Sequence, residues 1–210
     1  MRDPRVLPIT FFHRPAPVVA RDLLGAVMIS YLAGETVAGH IVETEAYLGF
    51  DDPASHAWRG RRHRGNEGIY SPPGSWYVYL SYGMHCCANL VCGPTGLGAA
   101  VLVRGLVPLE GVEIMRRRRA ARQRFRHPER REGGPGRDAA LTDGPGKLSQ
   151  ALGITRELDR QPMPASPVVV VEGFGVTDDE LRITPRIGIT KAADLPLRFL
   201  LASRLRHRVA

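Results

Sequence analysis

A chain of 210 residues, 43% of them hydrophobic, is long enough to bury a core of its own and too apolar for a disordered tail. No apolar run approaches the roughly 20 residues that cross a bilayer. The opening MRDPRVLPITFFHRP has no signal-like apolar segment, so a cytoplasmic protein is expected. Lys and Arg outnumber Asp and Glu by 29 to 21, a net charge of +8 that favours polyanionic partners such as nucleic acid. Lysine occurs only at Lys147 and Lys191, so a general compositional preference for arginine is the competing explanation.

In chain order, PAPVVARDLLG (15–25) predicts a short helix, with Gly25 suited to the position past its end. AVMISYL (26–32) and VAGHIVETEAYL (37–48) predict two strands joined by a turn at AGE, hence a hairpin. Residues 49–74 are rich in Gly, Pro, His and Arg and predict a long loop of the kind that often carries function. SWYVYLSYG (75–83), CCANLVC (86–92) and AAVLVRGLV (99–107) predict strands. From Pro108 the pattern predicts a helix over 108–125, with acids in its first turn and arginines toward its end. Residues 126–146 predict a mobile charged excursion, and GKLSQALGI (146–154) a further helix. PVVVVEGF (167–174), RIGIT (186–190) and LRFLLA (197–202) predict late strands. Grouped strands with irregularly interspersed helices favour a single α+β domain spanning the chain, its core over about 8–202.

Strand periodicity groups Val37, Gly39, Ile41, Glu43, Glu45 and Tyr47 on one face. That face begins apolar and ends in two carboxylates and a tyrosine, just before the long loop. Acids at such a place fit a cleft lined by ionisable groups, or a sheet edge emerging into water. Arg104 stands inside an apolar strand, where a charge is costly unless paired, and the two glutamates are its candidate partners. Tyr82 precedes Gly83 at a strand end, where an exposed ring could stack on or wedge between bases. His56 in DDPASHAW could be a ligand, a proton carrier or a surface residue. Cys86, Cys87 and Cys92 form no CxxC pair, and with His85 they match no common zinc spacing, so small core residues with free thiols are expected.

Taken in order, FFHRPAPVVARDLLG, HIVETEAYLG, DDPASHAW, RGNEGIYSPPGSWYVYLSYGMHCCANLV, AVLVRGLVPLEG, GPGKLSQALGI and LPLRF resemble the alkyladenine (3-methyladenine) DNA glycosylase family over about residues 8–201. The resemblance implies an α+β domain around a curved, mainly antiparallel sheet, with peripheral helices and no metal or organic cofactor. It implies a monomeric, nucleoid-associated repair enzyme acting on double-stranded DNA. Such an enzyme turns a damaged purine out of the duplex into a pocket and hydrolyses its N-glycosidic bond. By motif position Glu45 is the catalytic carboxylate, an ionised general base for water attacking C1′ of the sugar. Arg104 supports it, since a neighbouring cation favours the charged carboxylate, and Glu43 becomes a supporting residue. Tyr47 and His56 fall on one side of the base and Tyr79 on the other. Asn89 falls on the pocket asparagine that disfavours a 2-amino purine, and Tyr82 on the intercalating tyrosine. A turn at Ser81–Gly83 would aim Tyr82 at DNA. Arg59, Arg61, Arg62 and Arg64 are candidate phosphate contacts. Ala88 is smaller than in relatives, and the stretch 116–138 is unusually basic; both leave the preferred lesion open. Two alternatives stand beside this reading: a non-catalytic nucleic-acid-binding module, and a glycoside or nucleoside hydrolase using Glu43 and Glu45 as a carboxylate pair.

Overall fold

A computed structural model describes residues 5–124 and 138–202. Two short helices, α1 (Ile9–Phe12) and α2 (Ala16–Asp22), precede the first strands, β1 (Val27–Ser30) and β2 (Val37–Tyr47). Then come β3 (Trp76–Ser81), β4 (His85–Cys92) and β5 (Ala99–Glu110), helices α3 (Val112–Arg124) and α4 (Pro145–Leu152), and strands β6 (Val168–Val171), β7 (Leu181–Thr184) and β8 (Arg198–Leu201). The strands form one antiparallel sheet in the order β3-β4-β5-β2-β1-β6, with β8 paired to β2 and β7 to β8. The first half of β2 pairs with β1 and its second half with β8. That branching accompanies the curl of the sheet into a half-barrel, and the whole is one α+β domain, as expected.

Period-two alternation on the central strands separates two apolar clusters. Trp76, Val78, Ala88, Leu90, Val101 and Val103 join the main core with Leu23 of the segment after α2 and with Leu148 and Leu152 of α4. Tyr77, Val91 and Ala100 meet Ala57 and Ile69 of the long loop in a smaller cluster. Cys86, Cys87 and Cys92 are buried free thiols. Among the described residues no helix is long and apolar enough to cross a membrane.

Two predicted elements are corrected. Pro108 does not open a helix: β5 continues through it to Glu110, and α3 starts at Val112. Pro108 stands opposite Gly39 at a register shift in the ladder, a place where a missing N–H is tolerated. The switch falls at Gly111, whose φ of +72° suits glycine, and where a Cβ would come within 2.5 Å of the Thr36 carbonyl. Residues 186–190 form no strand, and the late strand lies earlier, at β7. Its Arg182 and Ile183 are exposed, because β7 is an outer strand paired only to β8. The mobile excursion predicted over 126–146 lies in part outside the described residues; in the described part, residues 138–140 and 143 are exposed. Thr142 is fully buried, its hydroxyl donating to the Leu106 carbonyl at 2.9 Å and its own carbonyl accepting the Leu106 N–H.

Candidate active site

The β2–β5 ladder contains two offsetting irregularities. Ile41 faces Leu106 but Glu43 faces Gly105, so Val42 is an extra residue on β2. Thr44 then faces Val103, so Arg104 is an extra residue on β5. Bulges of this kind bend a strand and re-aim its side chains. Ile41 and Val42 both join the main core, which breaks the single alternating face expected over 37–47. Beyond the bulges, Thr44 points toward α2, donating to the Ala20 carbonyl at 2.8 Å, while Glu43, Glu45 and Tyr47 engage a separate polar network. Gly105 leaves room for this: a Cβ there would lie 3.3 Å from that of Glu43.

Arg104 serves both carboxylates. Its Nε donates to Glu43 Oε1 at 3.0 Å, and a terminal nitrogen lies 3.4 Å from Glu45 Oε2. Arg198 of β8 donates to the same Glu43 oxygen at 2.7 Å and reaches the Thr184 hydroxyl at 3.2 Å. Burial pushes the Glu43 carboxyl up, but the hydrogen bonds from Arg198 and then Arg104 outweigh it and hold it below its ordinary range. Glu43 is thereby a strut between two guanidinium groups.

Glu45 is fully buried. Oε2 accepts the Tyr47 hydroxyl at 2.9 Å, and Oε1 accepts the backbone N–H of Ile187 at 2.8 Å. The Ile187 amide comes from the segment expected to be a strand, which instead folds as a strap over the end of β2. Arg186, just before it, makes a bidentate pair with Asp52, both side chains fully buried. The Arg186 guanidinium lies 4.7 Å from the centroid of the Tyr47 ring. Burial, and then the Glu45 charge, push the Tyr47 phenol far above its ordinary value, so it stays a neutral donor.

Tyr47 leads into a cavity of about 500 Å³ that His56, Tyr77, Tyr79, Asn89 and Ile189 also line. His56 Nδ1 lies 2.7 Å from the Tyr77 hydroxyl. Burial lowers the His56 pKa, and the charges of His63 and Arg61 lower it further, so the imidazole is uncharged at neutral pH. Burial likewise raises the phenols of Tyr77 and Tyr79. Asn89 is buried, and its Nδ2 donates to the Tyr77 and Cys87 carbonyls at 3.0 and 3.1 Å. Those bonds fix the amide and leave Oδ1 as its acceptor. The His56 and Tyr79 rings meet nearly perpendicular, with centroids 4.5 Å apart. A base held between two rings needs about 7 Å between them, twice a carbon contact distance. That space is not open between the His56 and Tyr79 rings in this arrangement.

At the cavity lip, β3 and β4 join through a turn in which the Met84 N–H donates to the Ser81 carbonyl at 3.0 Å. Tyr82 and Gly83, its central residues, have φ of +50° and +67°, the signature of a type I′ turn. Tyr82 is 87% exposed. The four loop arginines differ. Arg62 is bonded to both carboxylate oxygens of Glu67 and lies over the Tyr70 ring, and Arg59 lies over the Trp58 ring. Arg61 and Arg64 are exposed. Among the described residues no three His, Cys, Asp or Glu side chains are grouped to hold a metal ion.

The sequence reading missed Arg186, Asp52, Arg198, Tyr77 and the Ile187 amide. One signal was present: Arg186 and Arg198 flank apolar residues in segments read as strands, as Arg104 does. Their partners lie 134 and 155 residues away and carry no local mark.

The family model for methylpurine-DNA glycosylase matches residues 10–204. A protein of Koribacter versatilis, provisionally named a 3-methyladenine DNA glycosylase, is 42% identical over 200 residues, covering 93% of this chain and 89% of its own. Similarly named proteins of Methanoculleus marisnigri and Rubrobacter xylanophilus are 42% and 43% identical, covering 93% and 85% of this chain and 94% and 85% of their own. The chain belongs to the methylpurine-DNA glycosylase family.

Proposed function

We propose that this protein is a monofunctional DNA glycosylase that turns an alkylated or deaminated purine out of duplex DNA and hydrolyses its N-glycosidic bond, leaving an abasic site. It acts as a monomer on nucleoid DNA. The observation that carries this reading is the Glu45 carboxylate, buried yet met by three donors and joined through the Tyr47 hydroxyl to a ring-lined cavity. Oε1 accepts one N–H and retains a lone pair for water. In the free protein Glu45 is fully buried, so extrusion of the nucleotide has to open the path by which the attacking water reaches it. Glu45 takes the proton from that water, and its charge favours the oxocarbenium-like sugar. Electron-poor alkylated purines stack well on tyrosine faces, and the uncharged His56 puts no like charge against a cationic base. Extrusion costs a few kcal/mol, least at damaged or mispaired bases.

The test is base release from duplex oligonucleotides that each carry one defined lesion. Glu45→Gln should slow release by about 10²-fold or more while lesion binding persists. Release by Glu45→Gln at the unaltered rate would remove Glu45 from the chemistry. If no purine lesion is released by the unaltered chain, the non-catalytic binding module becomes the better reading.

A further inference from the structure

We infer that Arg186 is a positioning residue for Glu45: its buried pair with Asp52 clamps the 186–189 strap onto the end of β2 and so sets two of the three donors on the carboxylate. The inference rests on reading Glu45 as the water-activating group. A guanidinium and a carboxylate with no side-chain exposure carry a large desolvation penalty, and an apolar pair of similar volume would often be as stable or more so. Among the described residues the guanidinium is also incompletely satisfied, since its Nε is buried without a hydrogen-bond partner there. Stability alone is therefore a poor account of this pair.

Its geometry points to the site. The two terminal nitrogens of Arg186 grip both oxygens of Asp52, and one also donates at 3.1 Å to the carbonyl of Ala46, the residue between Glu45 and Tyr47. With residue 186 tied to that point, the next amide, Ile187 N–H, falls on Glu45 Oε1. The guanidinium packs on the Tyr47 ring, whose hydroxyl donates to Glu45 Oε2. Asp52 also accepts the N–H groups of Leu48 and Ala54, which fixes the turn out of β2 toward His56. Residues 185–197 lie in no helix or strand, so no regular ladder holds the strap in register. Gly188 and Ile189, next along it, line the cavity.

The test uses the full chain carrying Arg186→Lys, which keeps a cation for Asp52 but cannot form the planar two-pronged contact and reach Ala46 as well. Asp52→Asn, whose single acceptor oxygen can serve only one of the Leu48 and Ala54 amides, gives the same readouts should the lysine chain not fold. Leu152→Ala, a core change in α4, serves as a destabilised control. Three quantities are measured where all chains are folded: hydrogen exchange of the Ile187 amide, single-turnover base release, and affinity for a lesion duplex. Arg186→Lys should speed Ile187 exchange and slow release, each by about tenfold or more, with affinity changed by less than about threefold. Leu152→Ala should keep the unaltered release rate. Unchanged Ile187 exchange in Arg186→Lys overturns the inference, as does a rate loss that Leu152→Ala reproduces. If the unaltered chain releases no base, the proposed function fails by itself. Ile187 exchange then still decides whether Arg186 sets the donor on Glu45.

Discussion

Tyr82 shows how one residue can be placed against its own preference. A tyrosine at φ +50° sits in the left-handed region, where a non-glycine side chain costs about 1 kcal/mol or more, and where Asn or Gly is the usual choice in a type I′ turn. It also holds a large ring 87% in water. Neither feature helps the free protein, so the residue has to be explained by what it meets. Under the proposed function, a ring at the cavity lip would fill the gap left by an extruded nucleotide and slow its return. Tyr82→Asn should therefore stabilise the free protein by about 0.5–1 kcal/mol and weaken binding to a lesion duplex. Thermal melting and equilibrium binding check the two halves. Unchanged lesion affinity would remove the wedge, and a lower melting temperature would mean the turn is not under the strain its φ implies.

At the scale of elements, the paired bulges of β2 and β5 turn two plain strands into a site. They send Arg104 off the ladder toward Glu43 and Glu45, and Glu43 in turn fixes Arg104 from the far side with help from Arg198. This arrangement gives Glu43 a structural task. Glu43→Gln keeps one acceptor oxygen for the arginines, so base release should stay within about tenfold of the unaltered rate, with stability lowered by about 1–3 kcal/mol. Loss of release as complete as in Glu45→Gln would instead support a carboxylate pair. The strut also has a pH signature. Hydrogen bonds outweigh burial and hold both carboxyls below their ordinary values, from Arg198 and Arg104 at Glu43 and from Arg186 and the Ala54 and Leu48 amides at Asp52. A depressed carboxylate adds stability above its unfolded pKa, and that stability is lost as pH falls through the folded value. The melting temperature should drop on acidification below about pH 4, and Glu43→Gln should make that drop shallower; an unchanged slope would mean the pair adds nothing to acid stability. The bulges also mark where sequence reading stops. Period-two spacing put Tyr77, Tyr79 and Asn89 on strands and placed Glu45 at a strand end, because those facts are local. An inserted residue shows only in the pairing of two strands. The strap at 186–190 looked like a strand because its apolar residues alternate, although its amide goes to a side chain 142 residues away.

Across the whole molecule, net charge says less than the partners of each charge. The chain carries +8, yet many arginines are already engaged: Arg104 and Arg198 with Glu43, Arg186 with Asp52, Arg118 with Glu35. Composition alone pointed to a polyanion, but it could not say which cations remain available, since pairing is a property of the fold. The loop after His56 makes the distinction testable. Arg62 would have to leave Glu67 and the Tyr70 ring to meet a phosphate, and Arg59 would have to leave Trp58, whereas Arg61 and Arg64 stand exposed. Each phosphate neutralised on B-DNA contributes about −0.9 to the slope of log K against log salt. Arg61→Ala and Arg64→Ala should each make the slope shallower by about 0.9 and weaken binding evenly across sequences. Arg62→Ala, whose cation is already balanced by Glu67, should change the slope by less. Titrations of one lesion duplex over a range of salt concentrations measure all three. Equal changes at the three positions would show that Glu67 releases Arg62 on binding, and no change at Arg61 and Arg64 would place the phosphate path on another face of the half-barrel.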